Sequence, residues 1–315
     1  MSGIDVLVVG DANPDLLLTG DVVPRFGQAE QLLDTADLVL GGSAGIVAAG
    51  LARLGVATAL AAVVGSDQFG SFVLDRLNER GVDTSAVTVR DGIATGVSIV
   101  LSQENDRAIL TLPGSIPMLG ADAVREAVRR LRPRHVHVAS YFLQPSLARA
   151  LPVLIDWLAG EGITTSLDTN WDPAERWEGV GDLLPKVSCF LPNREEALAV
   201  SSAVAGRAIS DIDEAGALLS ALGCRVVVKA GSDGGIAYEA GARSAEAPGL
   251  ILDVVDTTGA GDSFDAGYLA AMLGGVDSER DRLRWAAASG SLSVRGLGGT
   301  AAQATRADLE ALQAA

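Results

Sequence analysis

Histidine, cysteine and lysine are almost absent from this chain: two of each occur in 315 residues. Zinc chemistry draws on histidine and cysteine, and nucleophilic catalysis often does, so both are disfavoured at the outset. The two histidines, His135 and His137, alternate on a strand-like run and can share one face. That spacing admits a metal pair, although lone strand histidines are usually structural. The two cysteines, Cys189 and Cys224, are isolated in sequence, which fits a reducing cytoplasm rather than a disulfide framework. Lysine occurs only as Lys186 and Lys229, arginine supplies the remaining positive charge, and the net charge is −16. Nucleic acid and anionic membrane surfaces both require basic patches, so neither is expected as a partner. The longest uncharged run, 38–52, is too short and too glycine-rich to span a bilayer. The segment before Val6-Leu7-Val8-Val9 has no basic region or cleavage site, so no signal peptide is expected.

What the chain has is apolar material and alternating elements. Hydrophobic residues make up 48%, enough for a large core, and the length suits one large α/β domain or two small ones. Apolar runs at 4–9, 59–64, 135–138, 164–167, 188–191 and 225–228 read as buried strands. Helical patterns lie between them, at 121–131 and 147–158 among others. This alternation is the doubly wound pattern. Two excursions, 16–40 and 95–112, leave it with a strand-rich look, the second broken by a polar tip at 103–107.

One stretch organises the rest: Asp256-Thr257-Thr258-Gly259-Ala260-Gly261-Asp262-Ser263-Phe264. It follows a strand-like run, 250–255, and opens a helical pattern in which Phe264, Tyr268 and Met272 recur every four residues. Glycines let backbone N–H groups converge, and the free N–H groups of a first helical turn suit phosphate. A carboxylate there would repel a phosphate. It makes sense if Asp262 takes a proton from a hydroxyl while the amides of Gly259, Ala260 and Gly261 hold the phosphoryl group under attack. An ordinary tight turn with an acidic cap is the plain alternative for a shorter match. The full run closely resembles the C-terminal signature of the ribokinase-like (PfkB) carbohydrate kinase family.

That resemblance extends over essentially the whole chain. Gly41-Gly42-Ser43-Ala44-Gly45-Ile46 is similar to the family's N-terminal signature. Ile46 stands where the family usually has Asn, and Ser43 where some members have a basic residue. The missing basic residue argues against a sugar phosphate as acceptor. Asn13 and Asp15 follow the first strand at its carboxyl end, where open α/β sheets bind ligands; a turn with Asx chemistry is the alternative. In the family an Asn or Asp pair at this place contacts the acceptor sugar. The resemblance implies an α/β core over 1–12, 41–93 and 116–315. It also implies a small β-sheet lid over 13–40 and 94–115 that closes on the sugar and often pairs between subunits.

Further site residues follow from the same likeness. Gly41, Gly42, Ser43, Tyr141 and Asp168 are placed with Asn13 and Asp15 around the acceptor. Trp171 and Asp172 stand where acid-sugar kinases carry an arginine or tyrosine, which favours a neutral sugar or a nucleoside. Asn193 and Glu196 resemble the family's Asn-x-x-Glu, associated with ordering water and Mg²⁺, though the spacing is also that of a capped helix. Lys229, Gly231, Ser232 and Gly234 match the nucleotide loop in position. No Walker A motif occurs, so ATP must be reached without a P-loop. Carbonyls near Asp256 and Thr258 imply a monovalent cation such as K⁺. The expectation is an ATP- and Mg²⁺-dependent cytoplasmic kinase acting on a small neutral sugar, with a possible homodimer through the lid. A nucleoside kinase of the same family, or a non-catalytic sugar or nucleotide sensor, stays open beside it.

Overall fold

The computed structural model describes residues 3–103 and 107–313, so the centre of the polar tip expected at 103–107 lies outside the described residues. The chain opens with β1 (Val6–Val9), then runs through β2 (Asn13–Gly20) and β3 (Leu33–Gly41) into α1 (Ser43–Arg53). Next come β4 (Thr58–Ala61), β5 (Val63–Gly65), α2 (Gln68–Glu79), β6 (Thr88–Arg90), β7 (Val97–Ser102) and β8 (Arg107–Leu112). Regular alternation follows: α3 (Ala121–Leu131), β9 (His135–Val138), α4 (Pro145–Gly160), β10 (Thr164–Leu167), β11 (Cys189–Phe190), α5 (Arg194–Ala205), α6 (Ile212–Ser220) and β12 (Arg225–Lys229). A hairpin, β13 (Gly235–Glu239) and β14 (Ala242–Ala247), leads to α7 (Ala260–Leu273), α8 (Glu279–Ser293) and α9 (Arg306–Gln313).

The main sheet has the order β14-β13-β12-β11-β10-β9-β1-β4. Its strands from β12 to β4 pair in parallel, while β13 and β14 join antiparallel at one edge. All four residues of β1 are fully buried, because a parallel strand covered on both faces has no polar side to show. One face packs against α1, α7 and α8 through Val6, Val8, Leu191, Val227, Tyr268 and Leu269. The other packs against α3, α4, α5 and α6 through Leu7, Val9, Leu151, Leu154, Phe190 and Val226. Within the first face His135 bonds Thr164 and Ser166, and His137 bonds Ser166, each at 2.8 Å. Burial lowers the two imidazoles to about 3 and about 4, so both are neutral props of the core.

A second sheet, in the order β3-β2-β7-β8, stands on the carboxyl side of the first. Three residues separate the end of β1 from the start of β2, so Asn13 and Asp15 sit where the two sheets meet. Two expectations need correction. The apolar run 59–64 is two strands, because β4 pairs with β1 whereas β5 turns away to pair with β6. The run 250–255 is no strand: Ile251 is 103% exposed and Val254 62%. Its apolarity belongs to the cavity described next rather than to sheet pairing.

Candidate active site

Strand ends and helix starts of the parallel sheet converge on one edge. There Gly259, with φ of 70°, caps α7 and places Asp262 in its first turn. A Cβ on Gly259 would come within 2.6 Å of Gly299 Cα, so the left-handed conformation and the close approach both demand glycine. Asp256 stitches the loop below. Its Oδ1 accepts from the Thr258 N–H at 2.9 Å and hydroxyl at 2.8 Å, and its Oδ2 accepts from Gly298 N–H at 2.8 Å. Both carboxylate oxygens of Asp256 are thus engaged by the protein, which leaves main-chain carbonyls as the groups a cation would meet.

Asp262 faces α1, where the Ser43 hydroxyl donates to its Oδ1 at 2.5 Å. Desolvation pushes the Asp262 carboxyl up to about 7; the charges of Asp168 and Asp11 add to this, against the pull of Ser43 and Lys229. Across the cleft Asp15 is also raised to about 7, by burial first and then by Asp11 and Asp262. Asn13 Nδ2 donates to Asp15 Oδ1 at 3.0 Å and to Ser98 Oγ of β7 at 3.3 Å. A Cβ on Gly41 would strike the Asp15 carboxylate at 2.1 Å, so glycine is what lets β3 pass behind that acid. Asp11 accepts from Ala44 N–H at 3.1 Å and from Ser140 Oγ at 2.8 Å, tying β1 to α1 and to the loop after β9.

On the far side of Asp262 lies a cavity of about 410 Å³ lined by Gly231, Ser232, Gly234, Leu250, Ile251, Leu252, Ala260, Gly261 and Phe264, among others. It is narrow, mostly apolar and bounded by the first turn of α7, a shape suited to a flat ring with its charged end at the helix start. Asn193 and Glu196 form a reciprocal capping box on α5, each side chain bonding the other's backbone N–H at 2.8 Å. Glu196 is 4% exposed and raised to about 7, by burial and then by Asp168.

The remaining expected site residues make other contacts as well. Tyr141 is not brought to Asp262. Its ring stacks edge-on against Phe142 at 5.0 Å, in an aromatic chain that continues through Trp177 to Trp171. Asp168 is fully buried and cannot reach an open acceptor; Lys229 Nζ donates to its Oδ2 at 2.7 Å. Lys229 lines the cavity beside Gly231, and its ammonium donates also to Asp265 Oδ2 at 3.2 Å. Ile46 is 3% exposed and wedged between Gly259 and Gly299, so it packs the loop rather than lining the cleft. Three contributors were missed. Asp11 lay in the polar cluster after β1 without a role, and Asp265 was hidden in the helical pattern despite standing one turn after Asp262. Arg107, which donates from β8 to the Thr257 and Thr258 hydroxyls at 3.3 Å, carries no local sequence signal at all.

A doubly wound sheet, a separate small sheet and an acid beside a glycine-rich helix start define a phosphotransferase that acts on an alcohol group. The chain belongs to the pfkB family of carbohydrate kinases, whose model matches residues 4–306. It is 33% identical over 301 residues to an ATP-dependent ribose-1-phosphate kinase of Halopiger xanaduensis, covering 92% of each chain. It is 26% identical to the ribokinase of Bacillus subtilis, covering 98% of this chain and 99% of that one. Among solved structures, Arabidopsis thaliana ribokinase complexed with ribose and ATP superposes with a TM-score of 0.83 at 26% identity, covering 99% of both chains. Adenosine kinase from Sinorhizobium meliloti gives 0.84 at 25% identity, covering 100% of both.

Proposed function

We propose that the protein transfers the γ-phosphoryl group of ATP to a hydroxyl of a small neutral sugar, with Asp262 as general base. The observation that carries this reading is the position of Asp262 in the first turn of α7, between the Asn13–Asp15 pair and the cavity along Gly231 to Gly234. A hydroxyl held by Asn13 and Asp15, with backbone at Gly41, Gly42 and Ser43 behind it, would meet Asp262 on one side. The phosphoryl group would meet the amides of Gly259, Ala260 and Gly261 on the other. Asp262 takes the hydroxyl proton as the new O–P bond forms, and the amides stabilise charge on the transferring oxygens.

The acceptor side is crowded with carboxylates, Asp11, Asp15 and Asp262, each raising another's affinity for protons. Such a site suits hydroxyls, which donate to carboxylates, and repels an acceptor that already carries a phosphate. The apolar cavity supports ATP as the donor, with Gly231, Ser232 and Gly234 along the nucleotide. Asn193 with Glu196 would hold Mg²⁺ through water. Magnesium there supplies charge neutralisation on the phosphates. A monovalent cation would sit on carbonyls near Asp256 and Thr258. The acid at the helix start favours catalysis over a sensor role, since sensing needs no base.

The test is a panel of ribose, ribose 1-phosphate, fructose, adenosine, inosine and cytidine with ATP, read as ADP released. Turnover with a free sugar alone supports the proposal. Turnover confined to ribose 1-phosphate or to a nucleoside overturns the neutral-sugar part, and ligand binding without ADP overturns the kinase.

A further inference from the structure

Lys229 ends β12 directly under the first turn of α7. Its aliphatic stem runs beneath the anion-hole backbone: a Cβ on Gly261 would sit 3.5 Å from Lys229 Cδ and 3.7 Å from Cε. Its ammonium then divides between Asp168 at the end of β10, at 2.7 Å, and Asp265 on α7, at 3.2 Å. The three side chains are 10%, 1% and 0% exposed. Asp265 follows Asp262 by one helical turn, so the two share a face, and what holds one sets the azimuth of the other.

We infer that Lys229 is a positioning residue that clamps the first turn of α7 to the sheet and thereby aims Asp262 and the Gly259 to Gly261 amides. The inference rests on the reading of Asp262 as general base. Its grounds are geometric. The opening turn of a helix lacks the i−4 bonds that stiffen the rest, so its orientation must come from outside. Here the support comes from Ser43, which donates to Asp262, and from the Lys229 ammonium, which passes under Gly261 and bonds Asp265 one turn on. A buried ion pair is a poor source of net stability, because desolvation offsets its attraction. What such a group does provide is a fixed direction. The ammonium bonds two carboxylates even though Lys229 also lines the adjoining cavity.

The charge balance agrees with a clamp. Burial alone would raise Asp168, but the Lys229 ammonium overrides this and holds it below the usual range, while burial drives Asp265 well above it. The two acids are thus driven apart, Asp168 toward the charged form and Asp265 toward the protonated one. Glu196 from α5, Asp11 and Asp15 from the β1–β2 junction, Asp262 itself and Arg107 from β8 complete the charged surroundings.

Steady-state kinetics of K229M, K229R and D265N test the assignment. Loss of the clamp in K229M should lower kcat by about 10- to 100-fold, as expected for a catalytic group misplaced by a fraction of an ångström, with KM for ATP within about twofold. D265N removes the anchor on α7 and should lower kcat in the same direction with KM for ATP little changed, and K229R should recover part of the K229M loss. A rise in KM for ATP with kcat preserved would make Lys229 a nucleotide ligand and overturn the inference; so would unchanged kinetics. Should K229M not fold, the uncharged set K229M/D168N/D265N takes its place. A folded triple variant with wild-type kcat overturns the clamp, and one with reduced kcat and normal KM supports it. Separately, turnover retained by D262N would refute the base, whatever Lys229 does.

Discussion

Asp262 is held in a costly state. Most aspartates titrate near 4, yet this one and Asp15 are raised to about 7 by burial and mutual repulsion. A base must be ionised to work, so kcat/KM should fall as pH drops through about 7. A pH profile of the wild type checks this, and an acid limb near 4 would contradict it. The same shifts predict a stability effect of definite sign. A folded-state pKa above the unfolded value stabilises the fold below the unfolded pKa, and that contribution is lost as pH rises through the folded one. At pH 8 the ionised Asp262 therefore destabilises its surroundings. D262N should lower kcat by about 10²- to 10⁴-fold while raising Tm at pH 8. Thermal melts at pH 5 and pH 8 test the second half, because the gain should shrink at the lower pH. Asp262 and its glycines were legible in sequence because backbone geometry demands glycine at fixed spacing. Tyr141, Asp168 and Lys229 were less so, because direction decides their role: each stands at or just after a strand end, and Asp168 and Lys229 bond each other.

At the scale of elements, the strands of the parallel core were readable wherever both faces are buried, as in β1 and β9, since continuous apolar runs have few other uses. The run 250–255 deceived for the same reason, its apolar side chains serving a ligand-sized cavity instead of a sheet. The hairpin β13–β14 was invisible, because Ala242 to Glu246 is largely exposed and lacks a clear alternation. Arg107 connects the small sheet to the helix start through the Thr257 and Thr258 hydroxyls. If the small sheet acts as a lid, that contact is its latch. R107A should then lower kcat by about tenfold and raise phosphoryl leakage to water, measured as ADP released per sugar phosphate formed.

On the scale of the whole molecule, β8 leaves Ile109, Leu110 and Leu112 more than half exposed, and β3 adds Leu33 and Leu38. In a protein of charge −16 such a face is a natural seat for a second copy, which fits the proposed dimer through the lid. Light scattering should report a dimer for the wild type and a monomer for I109D/L112D; a monomeric wild type would end that proposal. Chelation by EDTA should abolish turnover and excess Mg²⁺ restore it, if Asn193 and Glu196 serve a divalent ion as proposed. β2 is at once the strand that carries Asn13 and Asp15 and the strand around which the small sheet is built. If the small sheet closes as a lid over an acceptor held by Asn13 and Asp15, gripping the acceptor and drawing the cover down are mechanically one act, and an enzyme holding nucleotide alone stays ajar. Its idle consumption of ATP should be slow for that reason, with thrift enforced by the hinge rather than by any separate guard.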